Sequence, residues 1–103
     1  MPLNEACGVL GIASKSPVLN SLTVGLRALQ HRGQESAGIT IHDEEHLTQK
    51  GMGLVAEVLN DFGEEFTKGL TGIGHVRYST AGGSSMKNAQ PMTVSSVTGE
   101  LSI

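Results

Sequence analysis

The sequence Cys7-Gly8-Val9-Leu10-Gly11-Ile12 contains the chain's single cysteine, at the head of an apolar run that lacks helical spacing. Apolar residues mixed with glycine and without a helical period predict a short buried β-strand, which we place at Val9 to Ala13. A thiol is the most nucleophilic of the common side chains at neutral pH, so Cys7 is a candidate nucleophile. The commoner role of a lone cysteine in such a run is that of a small buried hydrophobic residue. Residues elsewhere in the chain must therefore decide between the two roles.

Outward from this strand, the pattern predicts alternating helices and strands. Leucines at helical intervals predict a helix, with Ser16 as its N-cap, Pro17 in its first turn and Gly33 at its end. Those leucines are Leu19, Leu22, Leu26 and Leu29. Further strands are predicted at Ala37 to Ile41, Leu47 to Lys50 and Gly72 to Tyr78, a strand or loop at Met52 to Val58, a short helix from Asn60 or Asp61 to Phe66, and a last hairpin from Met92 to Val97 and Glu100 to Ile103. This order indicates an α+β or layered architecture.

Size and charge narrow the classes of protein and partner. A chain of 103 residues with 38% hydrophobic residues can bury one modest core, which predicts a single domain. A net charge of -3 without a lysine or arginine cluster argues against nucleic acid or an anionic membrane as a partner. The sequence contains neither an apolar run of membrane-spanning length nor a secretion signal. With one cysteine and no internal disulfide, we expect a cytoplasmic protein.

Four motifs together carry a family resemblance. Two of them are the polar stretches Gln30-His31-Arg32-Gly33-Gln34-Glu35-Ser36-Ala37-Gly38 and Gly74-His75-Val76-Arg77-Tyr78-Ser79-Thr80-Ala81-Gly82. With Cys7-Gly8-Val9 and Asn88-Ala89-Gln90-Pro91, they resemble the class II glutamine amidotransferase domain, most closely that of the amidophosphoribosyltransferases. The resemblance implies an α+β fold, the N-terminal nucleophile hydrolase fold, which is an αββα four-layer sandwich with the nucleophile at the start of an early strand.

The resemblance also implies a chemical role for Cys7. Its thiol would attack the side-chain amide of glutamine, form a thioester and release ammonia, after which water would free glutamate. The free α-amino group of Cys7 would carry the proton, because a peptide nitrogen is not basic. Residues 1–6 are therefore expected to be a leader or propeptide that is removed. The alternative for those residues is an ordinary frayed terminus.

Substrate binding is assigned by the same resemblance. Arg77 would hold the α-carboxylate of glutamine, since a guanidinium offers a planar bidentate fork. Tyr78, Ser79 and Thr80 would line the same pocket with hydroxyl and backbone groups, and Arg32 would support the nucleophile. Taken alone, Arg77 could equally be a strand residue reaching solvent, and Arg32 a cation at the negative end of a helix.

The chain also departs from the family pattern. The family's oxyanion-hole Asn-Gly pair is expected a little beyond Ile103, and no Asn-Gly dipeptide occurs here. The transferase domain is absent, so we interpret residues 7–103 as the N-terminal part of a glutamine amidotransferase domain that is inactive alone. For the full-length enzyme, the resemblance implies that ammonia released from glutamine converts phosphoribosyl pyrophosphate to 5-phosphoribosylamine in purine biosynthesis. It further implies magnesium with phosphoribosyl pyrophosphate, a 4Fe-4S cluster in some members, and a homo-oligomer.

Other interpretations stay open at this point. The runner-up enzyme is the glutaminase part of a glucosamine-6-phosphate synthase, and the alternative outside the enzymes is a non-catalytic glutamine-binding or interaction module. His42 and His46 have a spacing found in zinc sites, but they flank an acidic turn, which favours a solvated hairpin tip and no metal site. The glycine run at Gly51-Met52-Gly53-Leu54-Val55-Ala56 is interpreted as a chance match to a dinucleotide motif, because no good strand precedes it and no βαβ unit is expected to follow it.

Overall fold

A computed structural model describes residues 7–30, 34–78 and 89–103. Its elements in chain order are β1 (Gly8–Ala13), α1 (Leu19–Leu29), β2 (Gln34–Asp43), β3 (Glu45–Met52), α2 (Val55–Val58), a 3-10 helix (Glu64–Thr67), β4 (Thr71–Tyr78), β5 (Thr93–Ser96) and β6 (Gly99–Ser102). Within those ranges no helix is both long enough and apolar enough to cross a membrane.

Four strands form one sheet in the order β1-β4-β2-β3, and each neighbouring pair is antiparallel. The strand β4 therefore lies between β1 and β2. The strands β5 and β6 form a separate antiparallel hairpin. Because side chains alternate along a strand, each strand of the larger sheet directs every second residue to one face of the sheet and the residues between them to the other face.

The helix α1 covers the first face of the sheet and forms the core with it. Leu22 and Leu26 are fully buried, and they sit against Gly72 and Gly74 of β4. A Cβ atom at Gly74 would lie 2.7 Å from Leu26 Cδ1, and one at Gly72 would lie 2.6 Å from Leu22 Cδ1. The two glycines thus allow the helix to approach the sheet closely.

The second face of the sheet is partly covered by residues 89–91 and the β5–β6 hairpin. The Lys50 ammonium donates to the carbonyls of Ala89 and Pro91, both at 3.0 Å. At the other end of the face, His46 Nδ1 and Ser102 Oγ are hydrogen-bonded at 2.7 Å. These polar contacts attach the C-terminal part of the described chain to the sheet.

The predicted strands are all confirmed, and most extend one to three residues further than the pattern indicated. The predicted N-cap of α1 is wrong. The helix begins at Leu19, and the cap position is Val18, which is buried and whose N–H donates to Gly69 O at 3.0 Å. Burial of Val18 in the core therefore fixes the start of the helix, while Ser16 makes a local turn with Ser14.

Asn60 has a different role from the predicted one. Its amide donates to Ala56 O at 2.6 Å, so it caps the C-terminal end of α2, and the 3-10 helix starts at Glu64 after Gly63. The segment predicted as strand or loop contains α2. A strand, β3, does precede the glycine run, contrary to our interpretation, but the helix that follows has four residues and the strand pairs antiparallel with β2. No βαβ unit is therefore formed there.

Gly38 provides a test of how tightly residues 90–91 pack on the second face. A Cβ atom at Gly38 would overlap the carbonyl oxygen of Gln90 and lie 2.9 Å from Pro91 Cδ. We expect Gly38→Ala to destabilise the protein by about 1–3 kcal/mol in denaturant unfolding, because backbone must move. Gly11→Ala is the matched control, since the nearest atom to its Cβ is 4.0 Å away, and it should not lower stability. Equal stability of the two variants would contradict this packing.

Candidate functional site

The candidate nucleophile lies just before β1, and the candidate carboxylate clamp lies on the neighbouring strand β4. Gly8 of β1 pairs with Val76 of β4, so Cys7, which precedes Gly8, and Arg77, which follows Val76, come at the same end of this strand pair. The thiol is free and Cys7 is exposed, whereas the Arg77 side chain is 25% exposed. Because side chains alternate along β4 and Gly72 and Gly74 face α1, the Arg77 side chain leaves the sheet on the face opposite α1. The sequence did not reveal this proximity, which follows from the pairing of β1 with β4.

His75 lies on the same face, two residues before Arg77, and pairs with Val9 of β1. Its Nε2 is buried without a hydrogen-bond partner among the described residues. Burial lowers the pKa of His75 below the ordinary value of 6.5, and the nearby positive charge of Arg77 lowers it further. The imidazole is therefore neutral near pH 7. Sequence analysis gave His75 no role beyond its place in a motif that carries the family resemblance.

Glu35 is the second residue of this face that sequence analysis missed. Its Oε1 lies 3.8 Å from Arg77 Nε, and its side chain is 12% exposed. The signal in the sequence was a carboxylate within a motif that carries the family resemblance. What the sequence could not show is which strand Glu35 would face.

Tyr78 is placed differently from Arg77. It is 3% exposed and belongs to the alternate residues of β4 that face α1. The Tyr78 hydroxyl therefore does not share a face of the sheet with the Arg77 guanidinium, although the backbones of the two residues are consecutive. The remaining predicted site residues, Arg32, Ser79 and Thr80, lie outside the described residues, as does the predicted leader at residues 1–6.

A cavity of about 320 Å³ lies beside His75, between the sheet and the C-terminal segment. Its walls come from β1, β4, Gln90, Pro91 and the end of β6.

At the predicted hairpin tip, the rings of His42 and His46 meet edge to face at 5.7 Å, and His46 is also hydrogen-bonded to Ser102. Over the described parts of the chain, no three histidine, cysteine or acidic side chains are grouped so that they could hold a metal ion.

Comparison with curated proteins finds relatives that share one enzyme name. No family model matches the chain. It is 50% identical over 93 residues to the amidophosphoribosyltransferase of Methanothermobacter thermautotrophicus, covering 86% of this chain and 20% of that one. The enzyme of the same name from Bacillus subtilis is 50% identical over 91 residues, with 87% and 19% covered. The chain thus spans about a fifth of the length of the curated relatives it matches.

Two solved structures share the fold. One is described as the allosteric regulatory enzyme of purine biosynthesis, with a TM-score of 0.81 and 41% identity, over 94% of this chain and 21% of that one. The other is the glutamine phosphoribosylpyrophosphate amidotransferase of B. subtilis complexed with ADP and GMP, with a TM-score of 0.77, 38% identity and the same coverage. The predicted fold class is confirmed, because the structure matches part of the N-terminal glutamine amidotransferase domain of such an enzyme.

The low pKa of His75 can be measured directly. We expect its ring, followed by NMR, to titrate below 6.5, because protonation would place a cation in a partly buried site beside Arg77. Between the lowered pKa of the folded state and 6.5, the unfolded state binds more protons than the folded state, so over that range His75 lowers stability as the pH falls. His75→Gln should flatten that part of the stability profile.

His42→Gln, at an exposed position of β2, is the matched control and should leave the His75 titration unchanged. A His75 ring that titrates at or above 6.5 would contradict the geometry.

Proposed function

Because this chain is homologous to amidophosphoribosyltransferases over a fifth of their length, we propose that it forms the first part of a glutamine amidotransferase domain. In the complete protein this domain hydrolyses glutamine and supplies ammonia for the conversion of phosphoribosyl pyrophosphate to 5-phosphoribosylamine. The observation that supports the proposal best is the exposed thiol of Cys7, which directly precedes β1 at the same end of the β1–β4 pair as Arg77.

The proposed reaction uses the thiol as nucleophile. Sulfur attacks the amide carbon of glutamine, the tetrahedral intermediate collapses to a thioester, and ammonia leaves with a proton carried by the α-amino group. Water then attacks the thioester and releases glutamate. Removal of residues 1–6 exposes that amino group in this proposal. Arg77 binds the α-carboxylate of glutamine, with Ser79, Thr80 and the backbone of Tyr78 beside it and Arg32 near the nucleophile.

The cofactors of the complete protein remain proposals. A 4Fe-4S cluster needs four cysteine ligands, and this sequence has one, so at least three ligands of a cluster would come from outside it. Magnesium bound with phosphoribosyl pyrophosphate needs oxygen ligands, and the described residues form no metal-binding group.

The role of Cys7 separates catalysis from mere binding. In the complete protein, Cys7→Ala should lower glutamine-dependent activity by more than about a thousandfold, because the nucleophile is lost. Ammonia-dependent activity should persist, since only ammonia production uses the thiol. The measurement is the rate of phosphoribosylamine formation with each nitrogen source. Equal loss of both activities would make Cys7 structural, and unchanged activity with glutamine would favour a non-catalytic module.

The role of Arg77 separates binding from chemistry. Arg77→Lys should raise the KM for glutamine about tenfold, because the point charge of an ammonium replaces the bidentate fork that binds the α-carboxylate. It should change kcat little, because this carboxylate is bound equally well in the ground state and in the transition state. Arg27→Lys is the matched control, since Arg27 is an exposed residue in the last turn of α1. An unchanged KM for Arg77→Lys would place the carboxylate site elsewhere.

A further inference from the structure

The strand β2 carries one extra residue opposite β4, close to Arg77. Gln34 pairs with Tyr78, and Ser36 pairs with Arg77, so Glu35 is the residue left over in a β-bulge. In an uninterrupted pairing Glu35 would lie opposite Tyr78 and would share its face, the one covered by α1. The bulge releases Glu35 from that alternation, and bulges next to active sites commonly redirect a side chain in this way.

The redirected carboxylate faces the guanidinium of Arg77. Glu35 Oε1 lies 3.8 Å from Arg77 Nε, which is buried and makes no hydrogen bond among the described residues. Both side chains are partly buried, so the attraction between them is screened less than at an open surface. The bulge is itself held in place, because Gly53 N donates to Glu35 O at 2.8 Å.

A guanidinium has two edges that can bind a carboxylate, one formed by Nε and one Nη group and the other by the two Nη groups. Glu35 is beside the first edge. In the proposal below, the second edge is the one that makes a bidentate contact with a ligand carboxylate.

We propose that Glu35 is a positioning residue that holds the Arg77 guanidinium in the orientation needed to bind the α-carboxylate of glutamine. This inference rests on the proposed function. A long arginine side chain loses rotamer entropy when it is fixed, and ordering it before the ligand arrives removes part of that cost from binding. The opposing effect is repulsion between the Glu35 carboxylate and the ligand carboxylate. Because the two would occupy opposite edges of one cation, the ordering effect dominates.

The test compares two electrophiles that alkylate Cys7 in the complete protein. One is 6-diazo-5-oxo-L-norleucine, a diazoketone with the α-amino acid group of glutamine, and the other is iodoacetamide, which lacks a carboxylate. The second-order rate of modification is followed by mass spectrometry of the peptide that contains Cys7. Glu35→Gln should slow the diazoketone about tenfold and leave iodoacetamide within about twofold, because only the first uses Arg77. Glu35→Asp, which keeps the charge, should restore part of the diazoketone rate.

Controls separate positioning from folding and from the charge alone. Glu65→Gln removes a carboxylate from the exposed 3-10 helix and should change neither rate. In a double mutant with Arg77→Lys, removal of the Glu35 charge should have little further effect on the diazoketone, since no guanidinium remains to be oriented.

Each other outcome overturns the inference in a distinguishable way. An unchanged diazoketone rate in Glu35→Gln would show that Arg77 needs no such partner, and a faster rate would show that repulsion dominates. Equal slowing of both electrophiles would make Glu35 a structural residue. If the protein without any substitution reacts with iodoacetamide but not with the diazoketone, the proposed function fails and the inference fails with it.

Discussion

The pairing of β4 with β1 on one side and with β2 on the other is the interaction on which both the core and the candidate site depend. One set of alternate residues on β4 includes Gly72 and Gly74, which admit the leucines of α1. The other set includes His75 and Arg77, which form the site face. A shift of β4 by one residue would exchange the two sets, so the register that buries the core also fixes the site.

The sequence could predict what depends on near neighbours along the chain. Strands, the leucine stripe of α1 and the final hairpin follow from short-range periodicity, and all are present. The period of two could also have separated Tyr78 from Arg77, because adjacent strand residues face opposite ways. The family resemblance predicts one pocket for both residues through hydroxyl and backbone groups, and this remains a prediction, while alternation along β4 directs their two side chains to opposite faces.

The sequence could not predict what depends on contacts between distant segments. Val18 rather than Ser16 fixes the start of α1, because the buried valine is bonded to Gly69 across more than fifty residues. The bulge at Glu35 is likewise invisible in a pattern of polar and apolar residues, since it exists only relative to β4. Each of these features is a relation between two strands or between a helix and a loop, and no local propensity encodes it.

The distribution of burial over the site face also matches the different demands on its groups. In the proposed function, the amide of glutamine reaches the sulfur from solvent, because Cys7 lies just before β1 and is exposed. Arg77 lies near the end of β4, where it pairs with Ser36 of β2 and where Glu35 Oε1 is 3.8 Å from its Nε. A clamp gains from restraint because it must present one geometry, whereas a nucleophile needs access. The positions of the two residues agree with the proposed roles, because the cysteine lies outside the strand and the arginine lies within a strand that is paired with β2.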